Sequence, residues 1–336
     1  SLVHDETGTK ANLWAVIGPR EVSGLVLSGH TDVVPVAGQA WSGDPFRARL
    51  VDGRVVARGA TDMKGFLACV LALVPELVTA RLQRPAILAF SYDEEAGCRG
   101  VPHLLAALPD LCAPPKGAII GEPSGMRPIL AHKGKAAARV TVLGQAGHSS
   151  RPDLGRNAIH AMAELLQAAV GTAAALRQGP LDQAFAPAYS SLQVGTLRGG
   201  QAVNIIPDRC TAELEARAIA GVDPSALLAP VRAAAARLVA EGFLVEWQDL
   251  SAYPALALAA DAPLAALLER LTGQPPLAAV SYGTEAGLYQ AAGVPAIICG
   301  PGDIGRAHKP DEFIRPDELR TCQAMIEALG AACCAP

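Results

Sequence analysis

Over the first 130 residues, short, mainly apolar runs alternate with a longer apolar stretch of helical length. Residues 11–17, 25–28, 54–57, 86–92 and 117–120 read as strands. Residues 64–74 are apolar throughout and long enough for a buried helix, which Pro75 is expected to end or kink. Strands that are apolar at every position are buried on both faces. Their alternation with a helix predicts a mostly parallel sheet covered by helices.

From about residue 134 the rhythm changes. Residues 136–143, 191–197, 210–218 and 243–247 read as strands. Residues 155–169 form a helical pattern, with Ile159, Met162, Leu165 and Leu166 on one side. Residues 224–240 form another, with Pro224 suited to a first turn. The order β-α-β-β-α-β is that of a split βαβ unit. After about residue 250 the α/β rhythm returns, with a short helix at 285–292, a buried strand at 296–299 and a closing helix at 316–329. The predicted fold class is therefore α/β. A mixed, mostly parallel sheet covered by helices takes residues 1–133 and 248–336, and an α+β split βαβ domain is inserted at 134–247.

A chain of 336 residues, 51% hydrophobic, has ample material for two buried cores. Its net charge is −4, without a basic stretch, so no nucleic-acid partner is expected. The apolar runs at 66–74 and 255–260 fall short of the roughly 20 residues of a membrane span, so no membrane partner is expected either. Eight scattered cysteines without a CxxC, and no signal peptide, point to reduced thiols and a cytoplasmic location. The chain opens at Ser1 with strand-like sequence almost at once, so an N-terminal segment is expected to be absent.

Three polar segments follow or adjoin apolar strands, where α/β folds place their sites. In GHTDVVP (29–35), His30 and Asp32 share one face of an extended backbone. A carboxylate beside an imidazole is the usual partner of a metal-bound histidine, but the pair alone equally describes a structural histidine. In GATDMKG (59–65), Asp62 stands where a helix begins and reads either as a cap or as a ligand. In SYDEEAG (91–97), Asp93, Glu94 and Glu95 end a buried strand, which is costly unless cations meet them; the other reading is a solvated loop. Glu122 in GEPSG (121–125) and His308 in CGPGDIGRAHKPDE (299–312) complete a set of two histidines and several acids.

These segments, with AHKGK (131–135) and GHSSRPDLGRNAI (147–159), occur in the order of the motifs of a known family. The chain resembles the acetylornithine deacetylase, succinyl-diaminopimelate desuccinylase and aminoacylase family over nearly its whole length. The resemblance implies that Asp62 bridges two divalent ions, Zn2+ or Co2+. His30 and Glu122 complete one site, and Glu95 and His308 the other. Asp32 orients His30, and Glu94 is the general base. Two such ions, three ligand carboxylates and a bridging hydroxide sum to a near-neutral core, and mixed imidazole and carboxylate ligands suit zinc or cobalt.

The resemblance further implies that His148 stabilises the oxyanion from the other subunit of a homodimer, and places Arg217 and Asn204 near the substrate. For Arg217 a salt bridge on the strand face is the competing reading, and for Gly147 to Ser150 a helix-entry loop. Gly300, in a Gly-Pro-Gly segment, would let substrate approach the backbone closely. The implied substrate is a small-molecule N-acyl amino acid, with N2-acetyl-L-ornithine expected first. Desuccinylase, aminoacylase and dipeptidase activities share the same metal motifs, and a non-catalytic binding protein on this scaffold would be expected to have lost a ligand or the base.

Overall fold

The computed structural model describes residues 1–334. The chain divides into two compact units: Ser1–His132 with Leu256–Val280 and the residues from Thr284 onward, and Lys133–Ala255 with Ser281–Gly283.

The first unit is built on a six-stranded sheet in the order Leu2–His4, Ala11–Ile17, Ala86–Ser91, Leu25–His30, Gly117–Pro123, Ala296–Gly300. The last four strands run parallel and the first two antiparallel. Residues of Ala86–Ser91, Gly117–Pro123 and Ala296–Gly300 are buried at every position, as strands covered on both faces must be. Leu27, Phe66, Val70, Ile119, Ile297 and Met325 belong to one apolar core between sheet and helices. The helix Gly65–Thr79 continues through Pro75 instead of stopping there. Pro75 faces solvent, while Leu73 and Leu77 on either side are buried, and Leu77 lies against Gly330 of the helix Pro316–Cys334. Packing of the last turn thus outweighs one missing backbone hydrogen bond. Helices Val101–Leu111 and Pro263–Thr272 had no counterpart in the sequence reading.

A small three-stranded sheet, Phe313–Ile314, Arg54–Val56 and Arg49–Val51, ties the late chain to the early chain. Its pairing sets residue 312 beside residues 57–62, and the Ala57 amide donates to the Glu312 carbonyl at 3.0 Å.

The second unit is a four-stranded antiparallel sheet in the order Ser191–Gly199, Arg209–Ala218, Gly134–Leu143, Leu244–Tyr253. Alternate residues of Arg209–Ala218 are buried against helices Ala158–Leu176 and Ala229–Ala240, so one face of the sheet is covered. Asn157 caps the first helix, its side chain accepting from the amides of Ile159 and His160. The unit extends past residue 247 because Leu244–Tyr253 stays paired with Gly134–Leu143 as far as Tyr253 and Lys135. Helix Ala158–Leu176 is long and apolar enough to cross a membrane by length and composition, which a search for unbroken apolar runs missed. Here its Ala161, Met162, Leu165 and Ala169 are buried in the unit's core.

Gly121, one residue before Glu122, lies flat against the ring of Phe66, and a β-carbon there would fall 2.1 Å from two ring carbons. Gly121→Ala is expected to cost about 1–3 kcal/mol through overpacking, read as a lower Tm in thermal denaturation. An unchanged Tm would show that the ring can move aside.

Candidate active site

The parallel strands deliver their polar residues at one end of the sheet. His30 closes the strand Leu25–His30, Glu122 sits near the end of Gly117–Pro123, and Glu94 and Glu95 follow Ala86–Ser91. His30 is 1% exposed. Its Nδ1 lies 3.0 Å from the backbone carbonyl of Asp32, so Nδ1–H donates there and Nε2 faces the site. Around Nε2 stand Asp62 Oδ1 at 3.2 Å and Glu122 Oε1 at 3.6 Å. Burial opposes charging this imidazole, yet its bonds to Asp32 and Asp62 and the charge of Glu122 push it well above the usual histidine range.

Asp62 does not cap the helix that follows. It lies in the turn Ala60–Lys64 with non-helical backbone angles, and the Asp62–Met63 peptide is cis. Its two oxygens face in different directions: Oδ1 toward His30, and Oδ2 toward His308 Nε2 at 3.2 Å. Burial would raise its carboxyl, but hydrogen bonds from the two histidines hold it well below the usual range. Glu95 Oε1 lies 3.0 Å from the same His308 nitrogen. His308 is 52% exposed and His30 only 1%, so one side of the cluster opens to solvent and the other is closed. Hydrogen bonds to Asp62 and Glu95 push His308 up to about 10.

Ligand atoms of His30, Asp62 and Glu95 lie within 4.8 Å of one another, and so do those of His30, Glu94 and Glu122. Burial pushes Glu94 up to about 8, and drives Glu122 well above the carboxylate range. So many carboxylates facing two imidazole nitrogens at this spacing, largely out of water, is a donor set for divalent cations, and the residues fit two of them.

Two supports were legible in the sequence only in part or not at all. The Asp32 carboxylate lies 3.6 Å from His30 Nδ1, farther than the hydrogen bond that Asp32's own carbonyl makes. That carboxylate also accepts the backbone amides of Glu94 at 3.1 Å and Glu95 at 3.0 Å, so it holds the acid loop as well as facing the imidazole. Glu312 was not singled out. It is 1% exposed, and its Oε1 accepts the amides of Thr61 at 2.9 Å and Asp62 at 3.0 Å. Its Oε2 accepts the Gly59 amide at 3.0 Å and pairs with Arg58 at 2.7 Å. The loop of Asp62 is thus wrapped around one buried carboxylate. Its signal was the last letter of AHKPDE. Asp93, the spare acid, turns outward to Lys10.

The second unit carries the remaining sequence-predicted residues. His148 is exposed on the short strand Gly147–His148, which pairs with Ile205–Ile206, and its Nδ1 lies 2.7 Å from Ser150 Oγ. The Asn204 carbonyl accepts the Ser149 amide at 3.1 Å. Arg217 makes the strand-face ion pair with Glu215 at 2.7 Å, with the Tyr253 hydroxyl 3.5 Å from its Nη1. In the first unit, Gly300 is buried, and a β-carbon there would fall 1.9 Å from the Gly121 carbonyl. A close approach that demands glycine is thus already made by a neighbouring strand.

Residues 26–331 match the model of peptidase family M20/M25/M40. The chain is 35% identical to an acetylornithine deacetylase of Myxococcus xanthus, over 98% of this chain and 86% of that one. With an acetylornithine deacetylase of Photorhabdus laumondii the identity is 34%, over 96% and 83%. An M20 family metallo-carboxypeptidase of Sulfolobus solfataricus shares the fold with a TM-score of 0.78 at 19% identity, over 96% of this chain and 88% of that one. A dinuclear metal-binding peptidase of Bacillus subtilis aligns with a TM-score of 0.65 at 16% identity, over 99% and 87%. The chain belongs to peptidase family M20/M25/M40. It is a metal-dependent amide hydrolase.

Replacing Glu312 by Gln leaves one acceptor oxygen where two serve four donors, and leaves Arg58 buried without its anion. A loss of about 3–5 kcal/mol is expected, the scale of a broken buried ion pair. Chemical denaturation and metal analysis check it: stability and bound metal should both fall, and normal values for both would remove Glu312 from this role.

Proposed function

We propose that this chain is a two-metal deacylase of N-acyl amino acids, converting N2-acetyl-L-ornithine and water to L-ornithine and acetate, a step of arginine biosynthesis. The observation that carries the reading is Asp62, with one oxygen toward each histidine and Glu122 and Glu95 on either side. The end-to-end likeness to enzymes named acetylornithine deacetylase supports the substrate.

In this reading His30 and Glu122 would hold one ion and Glu95 and His308 the other, with Asp62 offering an oxygen to each. Zinc or cobalt, when bound there, supplies Lewis acidity toward the amide carbonyl and makes water a stronger acid. Glu94 takes a proton from the attacking water and passes it to the leaving amino nitrogen. The water's oxygen leaves in acetate, and the amine leaves protonated. Closed in by burial, the Glu94 carboxyl has the high proton affinity such a shuttle needs. Arg217 is the candidate for the substrate α-carboxylate, since a guanidinium grips a carboxylate in two places; its present partner Glu215 is also a carboxylate.

The same proposal places the enzyme in the cytoplasm as a homodimer. All eight cysteines are free, as expected in a reducing compartment. The strand Ser191–Gly199 lies at the edge of its sheet, a surface that a second copy can extend. His148, acting across that two-fold interface, donates to the carbonyl oxygen as charge grows on it.

Turnover is expected on acetylornithine ahead of N-succinyl and dipeptide substrates, and is expected to be lost to a chelator; a preference for a dipeptide would replace the deacylase by a peptidase. Glu94→Ala should keep its metal and lose at least about 10²-fold in kcat, whereas Glu95→Ala should lose metal. The reverse pattern exchanges the two roles.

His148 is tested by complementation. Inactive His148→Ala and Glu94→Ala chains, mixed under subunit exchange, should regain activity in the hybrid, because one of its two sites then carries neither defect. Hybrids that form and stay inactive would confine His148 to its own chain.

A further inference from the structure

Behind the metal ligands, the strands ending in His30 and Ser91 are joined by a single carboxylate. Glu285 precedes the helix Ala286–Ala291 and is 1% exposed. Its Oε1 accepts from Ser28 Oγ at 2.6 Å on one strand, and its Oε2 from Ser91 Oγ at 2.8 Å on the next. The two strands are paired in parallel, with His30 opposite Ser91. The Tyr289 hydroxyl lies 3.0 Å from Ser28 Oγ. With the Ser28 proton given to Glu285, Tyr289 donates to Ser28, so every proton of this buried chain points toward the carboxylate, the arrangement an anion requires.

The largest charged influences on Glu285 are His30 and Asp32, both at the metal site, and no lysine or arginine is among them. Burial holds its carboxyl above the usual carboxylate range in spite of the two serine bonds. Two neutral hydroxyls do not offset the burial of a full charge. Ser28 is two residues before His30, about 7 Å along the strand. Both Glu285 oxygens are taken by serines and Glu285 belongs to neither group of close-set ligand atoms, while its field crosses a buried interior to His30 and Glu94.

We infer that Glu285 is a positioning residue of the metal centre: a buried anion that ties the His30 strand to the Glu94–Glu95 strand and balances the bound divalent ions from behind without touching them. This rests on the two-metal reading above. A charge with no cation beside it weakens the metal-free chain and strengthens the loaded one. A purely structural residue would move both in the same direction.

The experiment measures zinc affinity by competition with a chromophoric chelator, and the Tm of chelator-treated protein, for the wild type, Glu285→Gln and Glu285→Asp. Zinc binding by Glu285→Gln is expected to weaken at least tenfold, while the metal-free Tm stays equal or rises. Glu285→Asp keeps the charge and should stay within threefold of wild type. The inference is overturned if Glu285→Gln binds zinc within threefold of wild type, or if its affinity and metal-free Tm fall together. Should Glu285→Gln fail to fold, Glu285→Asp decides, since a tenfold loss there would mean that reach, not charge, is what matters. A wild type that takes up no zinc overturns the two-metal reading itself, before any variant is compared.

Discussion

The structure turns on like charges held close together out of water. Asp62, Glu94 and Glu122 crowd His30 at the closed end of the sheet, and Asp62 and Glu95 share His308. Carboxylates repel at such range, and burial sharpens the repulsion by removing the solvent that would screen it. The pull on individual groups is visible: Asp62 is driven down by its two imidazoles while Glu94 and Glu122 are driven up. Divalent cations relieve all of these at once, which is why the same cluster that would be a defect in an ordinary core makes sense in a metallohydrolase.

Holding such a cluster together falls to groups that never meet the cations. Asp32 accepts two consecutive amides of the acid loop, and Glu312 accepts three amides of the Asp62 turn. Both are anions bound by backbone N–H groups, a strong form of hydrogen bond that also fixes the path of the chain. Parallel strands end here because the sheet leaves a crevice at their carboxyl ends. The supports then narrow that crevice to the dimensions of a ligand set.

Much of this was legible in the sequence, and the exceptions share a cause. Runs at 86–92 and 117–120, apolar but for Ser91, announced buried parallel strands, because burial on both faces leaves few polar positions. His30 and Asp62 stood out because polar residues beside such runs need a reason to be there. Glu312 and Glu285 stayed hidden because their partners are backbone amides and serine hydroxyls far away in the chain, which no local spacing reports. The helix does not end at Pro75, because a rule about one lost hydrogen bond does not know that Leu77 packs on Gly330. Gly300 announced a close approach, and the Gly121 carbonyl makes one.

The contact between Glu312 and the Asp62 turn spans 250 residues of sequence. A chain emerging from the ribosome makes the Asp62 turn early and receives the carboxylate that shapes it only 250 residues later, together with His308. Contacts so distant in sequence form late, after the chain between them has condensed. Assembly of the metal centre thus waits for the segment that carries His308 and Glu312: a polypeptide that stops short of it holds the early ligands but not the geometry.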